Sequence, residues 1–599
     1  MVPCESGSIQ GETLGGLWYC LGHAYLCKMI KDTLLGQSIV CNIISYVDNV
    51  VTPPTLSPPD AVLVLKVLSS IMFEVGGVDT NHAETVFFSK DPLVLESLSP
   101  HLEAADIFVN RSTNIVLLGV PIGDDAHCSS FILAKLAVLQ NKIERISSYH
   151  QLQTAVHMAR FSLNSTFIHI MRCSDYGVAK EFVHAYDNLS RASCASFFGI
   201  DLDSHQIHQA SLQFNSSGLR FTRARSTLPC AYLAACSRLR HSFHRIFPSF
   251  SSGDVDFSPT FVRSLSSANF KSSVERAIGD WQLLSGIPGD CTSSDVMFDF
   301  LNRSPISLQK SLASKIDSFD LSTLKVGIDA CDLARINSAC DPYGNGWLKA
   351  LPSTPALTVP CWIFRESLRH RLGAPSGIIN TVVPLRCCCA RRPVVDPEGI
   401  HFRVCPLSIG LHCTMHNEAN ALISWWARKC GLSVEIEPPR PFSETREHPD
   451  VLIRRFSAGV RSTAIDFTFP CAVCPSNVAL ASKGIGALAR ESEQNKMSKY
   501  EWRCEPLHWE FIGAAAESLG ALGPGFHTII DRLAAASPPP SFLGRSWACP
   551  SFKSYVLQRL SIIIQSGGCT RVRSGWLRAI SAGHQNEEDS PSADPSFAS

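Results

Sequence analysis

The sequence carries no excess of either charge, since Lys+Arg and Asp+Glu both number 53. A whole-chain nucleic-acid coat needs surplus positive charge to displace counterions, so the composition disfavours that class and leaves only local basic patches. No run of about 18 uninterrupted apolar residues occurs, and the first residues, MVPCESGSIQ, lack a basic segment followed by an apolar one. We therefore expect no membrane partner, no secretory leader and an intracellular location, the nucleus included. Repeats of fixed period are also absent. What is present is a globular composition, 45% hydrophobic and 18% charged, in 599 residues. That length is too great for one core, so several domains are expected. The 24 cysteines are scattered, several in apolar runs. They read mostly as small buried hydrophobes or reduced thiols rather than a disulfide framework.

Short β-rich runs such as SIVCNIISYVDNVV, TVFFS and NIVLLGVPIG alternate with the helical DAVLVLKVLSSIMFEV over residues 1–125. Residues 126–250 keep apolar residues at three- and four-residue spacing and read as helical. A Ser- and Pro-punctuated stretch with helical pieces follows to 385, then a Cys/His-rich segment, 386–416. Helix and strand alternate again over 417–560, and HQNEEDSPSADPSFAS closes the chain as an acidic Ser/Pro-rich end expected to be disordered.

Near the N-terminus, SGSIQGETLGGLWYCLGH precedes the β-rich run that ends in YVDN; FEVGGVDTNHAETVFF and LLGVPIGDD come later. Each piece alone is an ordinary turn or hairpin. In this order they resemble the palm of a reverse transcriptase of the non-LTR retrotransposon type. The residues that match are Gly7, Gln10, Gly11, Leu14, Gly15 and Leu17, then Tyr46 and Asp48, then Asn81, and finally Leu118, Gly119, Pro121, Ile122 and Gly123. The resemblance implies a palm over 1–125 and a helical thumb over 126–250. It also implies two-metal nucleotide addition, with carboxylates on two strands. The chain departs from the pattern where that chemistry resides. Asn49 replaces the second acid of the YxDD turn, Glu12-Thr13 replaces Asp-Pro, and Glu84 takes the place of a lysine. The strand that carries the other acid precedes the QGDPL-like motif in the family, and this chain starts with that motif. The expectation is a truncated, inactive polymerase.

The segment LRCCCARRPVVDPEGIHFRVCPLSIGLHCTMHNEAN offers Cys387 and Cys389 as a C-x-C pair, then His401 and Cys405. Thiolates and an imidazole in so compact a span suit tetrahedral zinc. Cys388 leaves the register open, Cys413 and His412 stand in reserve, and partly buried thiols beside an incidental histidine are the plain alternative. Asp396, Gly399, His401, Cys405, His416 and Asn417 again resemble the same retroelements, which carry a CCHC knuckle ahead of their C-terminal domain. Ala390 stands where those have glycine, and the gap to Asp396 is longer. Arg386, Arg391 and Arg392 surround the cluster. A second basic run, Arg220, Arg223, Arg225, Arg238, Arg240 and Arg245, is interleaved with Phe221, Tyr232, Phe243 and Phe247. Such runs suit phosphate contact and base stacking, or equally a solvated helix face.

EHPDVLIRRFSAGVRSTAIDFTFP reads as two strands joined at Ser457-Ala458-Gly459. Alternation sends Ile465, Phe467 and Phe469 to one face and Ala464, Asp466 and Thr468 to the other. An antiparallel partner strand would bring Asp450 to the cleft of Asp466, and two such acids can hold Mg2+ or Mn2+ and activate a water. Lys496 and Lys499 lie one helical turn apart, able to orient that water or meet charge on a phosphate, with Tyr500 beside them. A surface hairpin with solvated acids is the plain alternative. The series Pro449-Asp450, Asp466-Thr468, Lys496-Lys499-Tyr500, Glu517 and Gly520 resembles the restriction-like endonuclease domain of early-branching non-LTR retrotransposons. Thr468 occupies the lysine position of the D-x-K motif, so Lys496 or Lys499 would have to serve.

The expected fold class is α+β and multidomain. It comprises a partial palm (1–125), a helical thumb-like region (126–250), a helical linker region (251–385), a CCHC-type zinc knuckle (386–416), a restriction-endonuclease-like α/β domain (417–560) and a C-terminal tail (561–599). The expected function is that of a truncated retrotransposon protein acting on DNA and RNA, with zinc in the knuckle and a metal-dependent DNA endonuclease site. A non-catalytic nucleic-acid binder is the rival from another class, and a degenerate remnant without a role is a third.

Overall fold

The computed structural model describes residues 15–41, 43–46, 49–52, 56–221, 223–246, 268–288, 299–300, 303–379, 385–439, 441–442, 447–456, 461–536 and 548–588. They form an α+β protein, mostly helical with small sheets.

In the N-terminal part, α1 (Gly15–Gly36) packs on α2 (Pro58–Glu74) through Leu26, Ile30 and Leu34 against Val64, Leu68 and Met72. Strands β1 (Ile44–Tyr46) and β2 (Asn49–Val51) pair antiparallel with Tyr46 opposite Asn49, so YVDN is a hairpin. Asp48, in its turn, lies outside the described residues, as do Gln10 and Gly11. Strands β3 (Val86–Phe88) and β4 (Asn110–Ser112) are parallel, joined through α3 (Pro92–Ala104). The LGVPIG stretch is a second hairpin, β5 (Ile115–Leu117) with β6 (Val120–Ile122). Its two turn residues, Leu118 and Gly119, have φ of 49° and 77°. Two left-handed residues in a row are what a tight two-residue hairpin with the right strand twist requires. Among the described residues these strands form separate two-stranded pairs and not one continuous sheet.

Helices α4 (Asp125–Ser147), α5 (Val183–Phe198), α6 (Ala224–Ile246), α7 (Ala268–Ser285), α8 (Leu308–Leu324), α9 (Ala330–Ala339) and α10 (Cys361–Leu372) follow, with shorter turns between them. Several start where the sequence supplies a cap. The Asp124 carboxylate accepts from His127 N at 2.7 Å, and Asp203 makes a capping box with Gln206. Leu139, Phe197 and Leu228 share one core with Ile278, Leu312, Ile316 and Phe364. The described helices of 268–288 and 303–379, expected as a helical linker region, contribute to the same core. They and the helices of 126–246 bury their apolar stripes against each other.

The C-terminal part holds α11 (Ile409–Lys429), β7 (Val434–Ile436), β8 (Val451–Ile453), β9 (Thr463–Thr468), α12 (Ala487–Cys504), β10 (Glu510–Ala515), α13 (Pro524–Ala536) and α14 (Phe552–Glu588). Its sheet runs in the order β10-β9-β8-β7, with β10 parallel to β9 and the other pairs antiparallel. The expected alternation holds along β9. Ile465, Phe467 and Phe469 meet Ile423 and Trp426 of α11, Phe526 and Ile530 of α13, and Leu560 and Ile563 of α14. Ala464 meets Leu452, Phe511 and the α12 residues Tyr500 and Cys504 on the other face. Burying a ring such as Phe467 or Phe526 is worth about 1.5–3 kcal/mol, which makes this sheet the anchor of the region.

Residues 561–588, expected as the start of a C-terminal tail, are helical. They continue the 37-residue helix α14, which lends Leu560 and Ile563 to the sheet core, Ile562 and Cys569 to the helical core, and Val572 and Trp576 to the Cys/His segment. The sequence end looked polar because only the final turns and the residues after them are. Residues 589–599, the Ser/Pro-rich end, lie outside the described residues. Among the described residues no helix is long and apolar enough to cross a membrane.

Candidate functional site

Strands β8 and β9 pair with Val451 opposite Ile465, which sets Asp450 across from Asp466, as the antiparallel arrangement predicts. Both carboxylates are buried, at 8% and 4% exposure. Asp450 Oδ2 accepts from the main-chain N–H of Phe467 at 2.6 Å and lies 3.0 Å from His416 Nε2. Burial, and next the charge of Asp450, pushes the Asp466 carboxyl above its usual range; Lys496 pulls it the other way. Two acids so close and so dry are short of positive charge, and a divalent cation fits that donor set.

Helix α12 brings that cation's nearest substitute. Glu493, 7% exposed, accepts from the main-chain N–H groups of Ala515 at 2.9 Å and Gly525 at 3.0 Å, locking α12 to the end of β10 and the start of α13. The Glu517 carboxylate takes Ala489 N at 3.1 Å in the first turn of α12, where negative charge is favoured. With the N-terminal half of α12 fixed in this way, Lys496 reaches Asp466 and forms an ion pair with it. The approach depends on Gly513, the β10 residue in register with Asp466. A Cβ there would stand 3.0 Å from both Glu493 O and Lys496 Cβ.

The structure separates the two lysines that the sequence left equivalent. Lys499 pairs with Glu447 at 2.7 Å, and Arg503 pairs with the same carboxylate. Tyr500 lies beside the cleft, its ring centre 5.9 Å from the Lys496 ammonium. It is 5% exposed and packs among Phe442, Leu452 and Phe511, with the Lys499 ammonium 4.8 Å from its ring centre. There it ties α12 to the sheet. Two residues of the site went unread in the sequence: His416, taken only as part of a knuckle-flanking pattern, and Glu447, three residues before Asp450. The i,i+4 pair His416 and Asn420 on a helix entering the sheet was the available signal for the first.

The Cys/His segment resolves its own register. Cys387, Cys389, His401 and Cys405 offer ligand atoms all within 4.8 Å of one another, while Cys388 is exposed. Cys387 Sγ lies 3.7 Å from Cys405 Sγ, and Cys389 Sγ lies 3.5 Å from His401 Nε2. A tetrahedral zinc with Zn–S of about 2.3 Å and Zn–N of about 2.05 Å sets edges of about 3.8 and 3.5 Å. These two edges match such a site, the remaining ones lie within 4.8 Å, and the cluster could hold a metal. The Asp396 carboxylate supports it by accepting from Ile400 N at 2.6 Å and His401 N at 3.1 Å, at the start of the short helix that carries the histidine. Of the reserve ligands, Cys413 is exposed and His412 lies 3.3 Å from an Arg571 nitrogen.

The basic runs are mixed. Arg223 is bound to Asp320 at 2.5 Å, and Arg386 donates to Arg392 O at 3.1 Å. The Arg220 guanidinium sits 5.7 Å from the Phe214 ring centre. Arg225 and Arg238 are exposed and Arg240 is half-buried. Phe221 and Tyr232, at 5% and 6% exposure, belong to the helical core and offer no face for a base to stack on. Tyr232 faces that core from α6 and Phe221 from the loop before it. The side chains of Phe243, Arg245 and Phe247 lie outside the described residues, as does that of Tyr46.

No protein-family model matches the chain, and no curated protein matches it in sequence.

Proposed function

We propose that this chain is a retroelement protein of the non-LTR reverse-transcriptase type that nicks DNA through the cleft of Asp450, Asp466 and Lys496. The observation that supports it most is the convergence of two buried acids and one lysine from three elements, in the chain order the resemblance implies. Asp450 and Asp466 would hold Mg2+ or Mn2+, which supplies Lewis-acid neutralisation of the scissile phosphate and activation of a water when bound. Lys496, in ion-pair contact with Asp466, is placed to stabilise charge on the phosphate or orient the attacking water. Phosphodiester hydrolysis then consumes one water and leaves a 3′-hydroxyl and a 5′-phosphate. Cys387, Cys389, His401 and Cys405 would hold structural zinc, and the exposed Arg225 and Arg238 would meet nucleic-acid phosphates. In this proposal the N-terminal part has no polymerase activity, because Asn49 stands where a metal-binding acid is needed.

Supercoiled-plasmid nicking with Mg2+ or Mn2+ tests the reading, with Asp466→Asn as control. Nicking by the native chain that the substitution abolishes supports it. A folded, zinc-loaded protein that leaves the plasmid closed overturns the enzyme and leaves a nucleic-acid binder, whose affinity would fall steeply with salt.

A further inference from the structure

His416 belongs to α11, which packs its apolar face on the sheet, yet its ring is aimed at one of the acids. Its Nε2 lies 3.0 Å from Asp450 Oδ2, the same oxygen that accepts the 2.6 Å bond from Phe467 N. Two partners on Oδ2 fix the carboxylate's rotation and leave Oδ1 as the oxygen available to a cation. The imidazole is itself held from behind. Asn420, one turn further along α11 and 2% exposed, places Nδ2 3.5 Å from His416 Nδ1. With Nδ1 turned to Asn420, Nε2 is the ring nitrogen that faces Asp450. The rings of Phe467 and Phe469 stand edge-on to the imidazole, at 6.5 and 6.3 Å between centres, and close off other orientations. The chain Asn420, His416, Asp450, Phe467 N–H thus runs from a helix, through the acid, back into the strand that bears Asp466.

We propose that His416 is a positioning residue of the metal cleft, presenting Asp450 Oδ1 to the divalent cation. The inference rests on the nuclease reading above and assigns His416 no contact with substrate. An outer partner that orients a metal-binding carboxylate typically changes metal affinity about 10- to 100-fold when lost. A structural filler of the same pocket changes stability and leaves metal affinity alone.

The test is Mn2+ binding to the zinc-loaded, full-length protein, read from the free-Mn2+ EPR signal, beside nicking rate as a function of Mn2+ concentration. His416→Ala should weaken Mn2+ binding about 10-fold or more and raise the Mn2+ concentration for half-maximal nicking, while the rate at saturating metal falls much less. His416→Gln, which keeps a donor near the Nε2 position, should recover most of the affinity. The proposal is overturned if folded His416→Ala binds Mn2+ as the native chain does while Asp450→Asn does not bind. It also falls if His416→Gln binds as poorly as His416→Ala when both have native circular dichroism. If the native chain and Asp450→Asn bind Mn2+ alike, the cleft holds no metal and the nuclease reading fails together with this one.

Discussion

Lys496→Met isolates the electrostatics of the cleft. The methionine keeps most of the apolar stem and removes the ammonium that pairs with Asp466. At an effective dielectric of about 20, an ion pair near 4 Å carries roughly 4 kcal/mol of gross attraction. The lysine side chain is 29% exposed and that of Asp466 6%, so solvent screens part of this, and the variant escapes the lysine's own desolvation. A net loss of about 2–3 kcal/mol at pH 8 follows, below the roughly 3–5 kcal/mol for breaking a wholly buried pair. The loss must depend on pH. Asp466 already titrates above its usual range because of burial and Asp450. A carboxyl raised in the fold binds more protons there than in the unfolded chain, so stability falls as pH climbs from the unfolded value through the folded one. Without Lys496 the folded value rises further and the fall is steeper. Urea unfolding at pH 4.5 and pH 8 should therefore show a small deficit at the first and the full deficit at the second. Equal deficits at both would refute the electrostatic account and assign the energy to the lysine stem.

Gly513→Ala puts a Cβ 3.0 Å from Glu493 O and Lys496 Cβ. Pushing α12 off the sheet should cost about 1–3 kcal/mol in chemical unfolding and reduce nicking more than it reduces DNA binding. Lys499 is 46% exposed on its side chain and bound to Glu447, so Lys499→Ala should change stability by less than about 1 kcal/mol and leave Mn2+ affinity unchanged in the EPR titration. Elemental analysis should find one zinc per chain. Cys405→Ser should lose it, and Cys388→Ser, which alters an exposed thiol, should keep it.

Period-two alternation was enough to divide β9 between its faces and to place Asp450 beside Asp466, because a strand of this length has few alternatives once one face is apolar. The choice among Cys387, Cys388 and Cys389 was open because spacing alone allows each register; the fold decides it by burying the outer two against Phe402 and Val572. Lys496 and Lys499 were indistinguishable for a similar reason. Residues three apart share a helix face, and only Glu493 and Gly513, distant in sequence from Asp466, fix which of them arrives there. His416 shows the limit most plainly. Its partner lies 34 positions away on a strand, and no local pattern marks a contact between a helix and a carboxylate it does not precede directly. In the basic run from Arg220, composition does not tell an exposed aromatic from one turned into the core, where Phe221 and Tyr232 lie.

Helix α11 joins the two candidate metal centres, and the joint makes a prediction. The helix starts at Ile409, just after Cys405. The turn between them is tied by Ser408, whose hydroxyl donates to Cys405 O at 2.7 Å and whose N–H reaches the same oxygen at 2.9 Å. Two turns further on the same helix is His416. A second restraint comes from α14, where Gly575 faces Phe402 of the knuckle and Gly567 faces Met415, the neighbour of His416; a Cβ at either would overlap those side chains, at 2.3 and 2.7 Å. A filled knuckle therefore fixes the entry of α11 and, through it, the imidazole against Asp450. Without metal the Cys/His cluster would restrain Cys405 less, and a shift at the start of the helix would reach Asp450 through His416. Removing zinc with a tight chelator, followed by dialysis and Mn2+ titration, should weaken Mn2+ binding in the native chain. In His416→Ala, where the linkage is already cut, zinc removal should add little. If zinc removal weakens Mn2+ binding equally in both proteins, the coupling does not run through α11; if it weakens neither while circular dichroism stays native, the two centres are independent.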